Sequence, residues 1–280
     1  MKDDVQSLRA VETWTKPPFT IVIHPVDACS ILSASLAQFH VWEWQRTQNL
    51  TRLLRDRPPV TVVDVGAHIG YVSLLAAALG HRVVAFEPMA LNLRCFRASL
   101  ALQPELAARI TLEPMALSDR RERLPIYSQI DNVGNGELGS APESEAPRVL
   151  RHEVTTERMD AYFTSPLRPG DEMLFIVKID VEAFEPAVIA GAERLLAEGR
   201  MRHLFIECSP RWSRSSGRDP QAMVERLVAA GFTICDEATG IPMSVATFAA
   251  RAADPATDQF ELFASRAPHE LFPALAAEVH

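Results

Sequence analysis

The stretch Val62-Val63-Asp64-Val65-Gly66-Ala67-His68-Ile69-Gly70, followed by Ala85-Phe86-Glu87-Pro88, constrains this chain more than any other. An apolar strand runs into an acidic residue and a glycine-spaced turn. A helix opens near Gly70, and a second apolar strand ends on Glu87. This is the first β-α-β unit of a nucleotide-type fold, whose site lies at the carboxyl ends of the strands. A dinucleotide fingerprint needs G-x-G-x-x-G so that backbone can approach a pyrophosphate. Asp64 stands where the first of those glycines would be, and a carboxylate there repels a diphosphate.

Asp64 suits instead a ligand that carries an ammonium and a sulfonium. S-adenosylmethionine (SAM) is such a ligand. Glu87 follows the glycine turn by about 20 residues, where an acidic side chain can bind both ribose hydroxyls.

A chain of 280 residues suffices for one large α/β domain with an appendage. Hydrophobic residues make up 48% of it, enough for a sizeable core. The formal net charge of −8 disfavours a nucleic-acid binder, which would carry a basic surface. Basic clusters at Arg120-Arg121-Glu122-Arg123 and Arg211-Trp212-Ser213-Arg214 are short and mixed in sign, and read as solvated surface. Cys29, Cys95, Cys208 and Cys235 are scattered, with no C-x-x-C and no Cys/His pair, so a zinc site is not expected. Cys95 and Cys208 fall in apolar patterns and read as core thiols. No basic-then-apolar signal opens the chain, and no apolar run approaches membrane-spanning length. The expectation is a reduced, cytoplasmic enzyme with no nucleic-acid and no membrane partner.

Residues 1–57 read as an N-terminal, largely helical appendage or lid. Thr20 to Ile23 suits a short strand. Ile31 to Leu54 has helical spacing, with Leu32, Leu36, Phe39, Trp42 and Leu50 apolar. Trp42 and Trp44 read as anchors of a lid helix to the core; lining a substrate pocket is the alternative. Pro58-Pro59 ends this segment.

The core domain, residues 58–266, alternates strand and helix. Strands are expected at Val60–Val65, Arg82–Phe86, Ile110–Glu113, Met173–Ile179, His203–Glu207, Phe232–Cys235 and Gln259–Ala264. Helices are expected at Gly70–Leu79, Ala90–Leu102, Glu185–Leu196 and Pro220–Ala229. Residues 118–158 break the rhythm. Leu124–Tyr127 and Val149–Thr155 look like strands. Between them a Gly/Asn cluster and a Pro/Glu/Ser-rich stretch predict a mobile loop near 128–150, of lid or binding-loop length. Residues 267–280 read as a C-terminal tail. Repeated β-α units argue a mostly parallel sheet with helices on both faces.

Five segments in order between Val60 and Ala264 carry a family resemblance. They are Asp64 to Gly70, Ala85-Phe86-Glu87-Pro88, Ala116-Leu117-Ser118-Asp119, Val154 to Asp160, and Val177-Lys178-Ile179-Asp180-Val181-Glu182-Ala183-Phe184-Glu185. The chain resembles FkbM-type SAM-dependent methyltransferases. The resemblance implies the Rossmann-like class I methyltransferase fold, an α/β fold with a seven-stranded mostly parallel sheet whose last strand is antiparallel. It also implies O-methylation, often of sugars or natural-product hydroxyls. Two positions depart: His68 where the family usually has Asn, and Ala183 where it usually has Gly within E-G-x-E. His68 can still donate a hydrogen bond near the cofactor, with a pH-dependent charge. Ala183 adds a methyl where backbone can approach something closely.

The cofactor-binding set read from these segments is Asp64, Gly66, Ala67, His68, Gly70, Glu87, Ser118 and Asp180. Gly66 lets the cofactor lie against the loop. Gly70 allows tight packing at the helix start, where free N–H groups can hold the SAM carboxylate. Asp64 faces the amino end, with a helix-cap carboxylate as the alternative. Glu87 clamps the ribose, with a solvated strand end as the alternative. Ala116 and Leu117 can pack on the adenine, and Ser118 and Asp119 can reach its amine; an ordinary turn is equally consistent.

The catalytic candidates are Lys178, Asp180 and Glu182. Period-two spacing puts them on one face if the strand continues that far. Three ionisable groups leaving an apolar strand are costly unless used or paired. Asp180 best suits a place beside the transferred methyl, orienting or deprotonating the acceptor hydroxyl, with Glu182 or Glu185 sharing the work. Two alternatives stand: a divalent cation held by Asp180 and a neighbouring carboxylate, and a plain ion pair of Lys178 with Asp180 or Glu182. Glu207 ends the fifth strand on the same edge and can face the acceptor.

The expected function is a SAM-dependent O-methyltransferase acting on a hydroxyl of a small molecule, sugar or natural product. A SAM-binding scaffold or regulator without turnover is the alternative. A nicotinamide oxidoreductase lacks its glycine spacing, and a nucleic-acid methyltransferase lacks an Asn/Asp-Pro-Pro-aromatic motif. The apolar lid residues equally suit a homodimer surface.

Overall fold

The computed structural model describes residues 8–26, 31–130, 132, 134–139, 148–164 and 173–273. The N-terminal segment builds a hairpin of β1 (Arg9–Glu12) and β2 (Thr20–Ile23), then α1 (Ile31–Phe39) and α2 (Trp44–Leu54). The one helical stretch read over Ile31–Leu54 is two helices, broken where His40 and Glu43 turn left-handed, at φ 59° and 40°.

The alternation follows as β3 (Thr61–Val65), α3 (Tyr71–Ala78), β4 (Arg82–Phe86), α4 (Ala90–Leu102), α5 (Pro104–Ala107) and β5 (Ile110–Glu113). Next come β6 (Ala116–Ser118), β7 (Arg123–Gln129), β8 (Glu137–Leu138) and β9 (Arg148–Arg158), which form a separate four-stranded sheet. Part of the loop read near 128–150 therefore pairs as a strand; residues 140–147 lie outside the described residues. The chain then continues through α6 (Met159–Tyr162), β10 (Leu174–Ile179), α7 (Glu185–Ala190), α8 (Glu193–Ala197), β11 (Met201–Cys208), α9 (Pro210–Ser215), α10 (Pro220–Ala229), β12 (Thr233–Asp236), α11 (Val245–Ala253) and β13 (Phe260–Ser265). The helix expected over Glu185–Leu196 breaks after α7 at Gly191, which lies so close to β6 that a Cβ would sit 1.9 Å from the Ser118 carbonyl oxygen.

The main sheet has the order β12-β13-β11-β10-β3-β4-β5. β13, the last strand in the chain, is antiparallel to both neighbours; the other pairings are parallel. This is the seven-stranded class I methyltransferase sheet. β3 and β10 lie side by side at its centre and are buried along their whole length, as runs that are apolar apart from Thr61, Asp64 and Lys178 require. The chain winds from β3 outward through β4 and β5, and later outward the other way from β10. The strand order therefore reverses between β3 and β10, and a crevice opens there at their carboxyl ends.

The appendage is fastened to this core by buried polar links. Ser99 on α4 accepts the Val22 N–H of β2 at its Oγ, at 2.8 Å. Arg46 on α2 is buried and donates to Glu237 at 2.8 and 3.0 Å, with Glu43 and Glu261 also against it. Of the two tryptophans read as anchors, Trp42 packs on the core while Trp44 is exposed. At the other end, Glu270 pairs with Arg57 and Arg202, and Leu271 is fully buried. Cys95, Cys208 and Cys235 are buried and form no disulfide among the described residues; Cys29 lies outside the described residues. Among the described residues, no helix is long and apolar enough to cross a membrane.

Candidate active site

A cavity of about 500 Å³ occupies the crevice, and it gathers most of the residues singled out in the sequence. Asp64, Gly66, Ala67 and His68 line it from the turn after β3, Glu87 from the end of β4, and Lys178, Asp180 and Glu182 from the end of β10. Gly70 and Ser118 do not line it.

The turn after β3 is held by its neighbours. The N–H groups of Gly66 and Ala67 both donate to the Phe86 carbonyl at 3.0 Å. Gly66 has φ 77°, and a Cβ there would lie 1.9 Å from the Asp180 carbonyl oxygen, so the close approach of the β10 chain itself demands glycine. Gly70, at φ 93°, fits against the Phe96 ring, consistent with a packing role at the helix start. Between them His68 is left-handed at φ 52°, and its N–H donates to Glu87 Oε2 at 2.7 Å. Burial pushes the His68 imidazole down to about 3, so it is neutral near pH 7 and its charge does not titrate there. Its Nδ1 is buried without a hydrogen-bond partner.

Asp64 is fully buried. Its Oδ2 accepts from the Ser73 hydroxyl at 2.7 Å, a side-chain contact within α3 rather than a cap on the helix start. Its Oδ1 accepts no hydrogen bond and lies 3.6 Å from Lys178 Nζ. Glu87 is buried and not a solvated strand end: Oε1 accepts the Met89 N–H at 2.7 Å, beside the His68 contact. Burial pushes Glu87 up to about 7, against the hydrogen bonds from Met89 and His68.

Lys178 donates to the Gly66 carbonyl at 2.7 Å and pairs with Asp180 at 3.2 Å. Burial alone would raise Asp180, but the Lys178 ammonium, then the Arg46 guanidinium, hold it below the ordinary carboxylate range. The pleat does not carry all three ionisable groups on one face, because β10 ends at Ile179. Glu182 reaches the site through a left-handed turn instead, with Glu182 at φ 53° and Ala183 at 69°. Oxygens of Asp180, Glu182 and Glu207 then lie within 4.8 Å of one another. Burial, then repulsion by Asp180 and Glu185, pushes Glu182 up to about 8; burial, then the Asp180 and Glu182 charges, push Glu207 well above the ordinary carboxylate value.

Ala116 and Leu117 line the cavity where a flat ring could pack. Ser118 is buried behind them, donates to Asp119 Oδ1 at 3.1 Å, and lines a second cavity of about 460 Å³. Asn92 and Glu43 also line the cavity and were not singled out in the sequence. Asn92, on the first turn of α4, donates to Glu87 at 3.3 Å and to the Gly134 carbonyl at 2.9 Å, joining the β4 end to the loop before β8. Its only sequence signal is its place five residues after Glu87. Glu43 enters from the break between α1 and α2, which helical periodicity does not reveal.

The residues fit SAM by donor chemistry. The Asp64 oxygen that accepts no hydrogen bond suits an ammonium, the Glu87 carboxylate suits vicinal hydroxyls, and the apolar pair Ala116 and Leu117 suits an adenine.

The Methyltransferase FkbM domain matches residues 64–234 of this chain. Among solved structures, the chain is similar to a methyltransferase FkbM from Methylobacillus flagellatus, at 16% identity and TM-score 0.46, over 74% of this chain and 43% of that one. It is also similar to a precorrin-6y C5,15-methyltransferase from Geobacter metallireducens, at 14% identity and TM-score 0.40, over 87% of this chain and 98% of that one. A third similar structure is an rRNA methylase from Streptococcus thermophilus, at 13% identity and TM-score 0.41, over 79% and 93% of the two chains. No curated protein matches the chain.

Proposed function

Because the chain belongs to the FkbM methyltransferase family, we propose that it is a SAM-dependent O-methyltransferase acting on a hydroxyl of a small molecule, sugar or natural product. The observation that carries this reading is one cavity that joins the acidic strand ends Asp64 and Glu87 to the carboxylate cluster of Asp180, Glu182 and Glu207. The first two suit the cofactor and the last three suit a hydroxyl acceptor.

SAM, when bound, supplies a methyl group already activated by its sulfonium. The residues of this chain bind, align and manage one proton. Glu87 keeps lone pairs for ribose hydroxyls after accepting the His68 and Met89 N–H groups. Asp64 Oδ1 takes the ammonium, directly or through water. Asp180, fixed by Lys178, orients the acceptor oxygen. A proton acceptor works best with a pKa near the operating pH, and Glu182, pushed up to about 8, meets that requirement. Alignment of donor and acceptor supplies the rest of the acceleration. Acceptor choice belongs to the appendage, which contributes Trp42 and Glu43 to the cavity wall, and to the end of β7 and the loop before β8, which contribute Gln129 and Asn135.

The test is incubation with methyl-labelled SAM and a panel of glycosides, polyols and phenols. Label in an alkali-stable ether supports the reading. Label in an amine or a carboxyl ester contradicts it. SAM binding with no transfer to any acceptor favours the scaffold reading instead.

A further inference from the structure

The carboxylates of Asp180, Glu182 and Glu207 converge on the acceptor side of the cavity, one oxygen of each within 4.8 Å of the others. Glu207 is a separate observation from the other two. It comes from β11 rather than β10, is 7% exposed, and faces the cavity. Among the described residues it has no hydrogen-bond or ion-pair partner. A buried carboxylate in that state is costly unless a counter-charge arrives.

The protein's own cations do not supply it. Lys178 lies between Asp180 and Asp64. Arg46 lies against Glu43, Glu237 and Glu261. Arg148, the other arginine whose field reaches Glu182, is paired with Glu137. Among the described residues, neither Glu182 nor Glu207 forms an ion pair, and each adds to the negative charge around the other.

We propose that Asp180, Glu182 and Glu207 form a binding site for one hard divalent cation, Mg²⁺ or Mn²⁺. Oxygens about 2.1 Å from an octahedral ion stand roughly 3 Å apart when adjacent and about 4.2 Å apart when opposite. The three oxygens, all within 4.8 Å of one another, need to draw in only slightly to ligate one such ion. An all-carboxylate donor set favours Mg²⁺ or Mn²⁺ over zinc or copper. Three ligands leave positions for water and for an acceptor oxygen. A cation there holds that oxygen and lowers the pKa of its hydroxyl, and the free oxygen of a ligating carboxylate takes the proton. This role rests on the O-methyl transfer proposed above; occupancy of the site does not.

The experiment is titration of the full chain with Mn²⁺, followed by calorimetry and by loss of the free-ion electron paramagnetic resonance signal, with a SAM titration run in parallel. One Mn²⁺ per chain, displaced by Mg²⁺, is expected. Glu207→Gln and Glu182→Gln should each weaken it roughly tenfold or more. Their melting temperatures should not fall, because each relieves the mutual repulsion of the three carboxylates. No Mn²⁺ binding by the folded wild-type chain, or equal affinity in both variants, overturns the site. Mn²⁺ binding without SAM binding sinks the functional reading and leaves the site standing; SAM binding without Mn²⁺ binding does the reverse.

Discussion

Glu87 Oε2 accepts the backbone N–H of His68 at 2.7 Å, so the carboxylate ending β4 is the clasp of the turn after β3. A single side chain thus shapes the glycine turn and faces the ribose position. Glu87→Ala should lower SAM affinity by about 100-fold, since a hydrogen bond to a charged group contributes about 1.5–3 kcal/mol. Melting should fall too, because the His68 and Met89 N–H groups lose their acceptor. A lower melting temperature with unchanged SAM affinity, measured by calorimetry, would remove Glu87 from cofactor contact.

Asp180 pairs with Lys178 at 3.2 Å at the edge of the acceptor cluster. Asp180→Asn should leave SAM affinity essentially unchanged and reduce turnover by about 100-fold or more. Loss of SAM binding with the residual rate kept would reverse the assignment.

Ala183 is buried at φ 69°, where a Cβ is strained and glycine is not. The methyl of this residue, one of the two departures from the family pattern, therefore costs stability. Ala183→Gly should stabilise the fold by about 0.5–1 kcal/mol in chemical denaturation, the strain relief exceeding the entropy cost of glycine. No change, or a loss, would contradict that.

What the sequence made legible is what backbone periodicity encodes. β4, α4, β5 and α10 lie on the expected residues, because each is an amphipathic or fully apolar run bounded by turn residues. The glycine turn and Glu87 were equally plain. Three things were hidden, each for a tertiary reason. Glu182 reaches the cluster through a left-handed turn that no alternation pattern contains. Glu43 sits at a helix break inside a continuous helical pattern. Gly191 separates α7 from α8 because β6, distant in sequence, presses on it, and Ala116 to Ser118 were read as adenine contacts or an ordinary turn.

His203, on β11 of the main sheet, makes the fold sensitive to acid. It is fully buried, with Nδ1 2.7 Å from Ser265 Oγ and Nε2 3.2 Å from Glu270. Burial pushes it down to about 4 even with the Glu270 hydrogen bond opposing. In the unfolded chain it regains its ordinary value of 6.5. As pH falls from 6.5 toward 4 the unfolded state takes the proton first, so stability is present above that window and is lost across it. The loss stops below 4, where both states are protonated. The difference in unfolding free energy between wild type and His203→Gln, followed from pH 7 to pH 4, should narrow with falling pH. A constant difference would show that His203 does not titrate with folding.

The central claim is that this cavity is a SAM site built on Asp64 and Glu87, and calorimetric titration of the purified protein with SAM and, in parallel, with NAD tests it most directly. The account predicts micromolar SAM binding and no NAD binding. A folded protein that binds no SAM, or that binds NAD in its place, would contradict it.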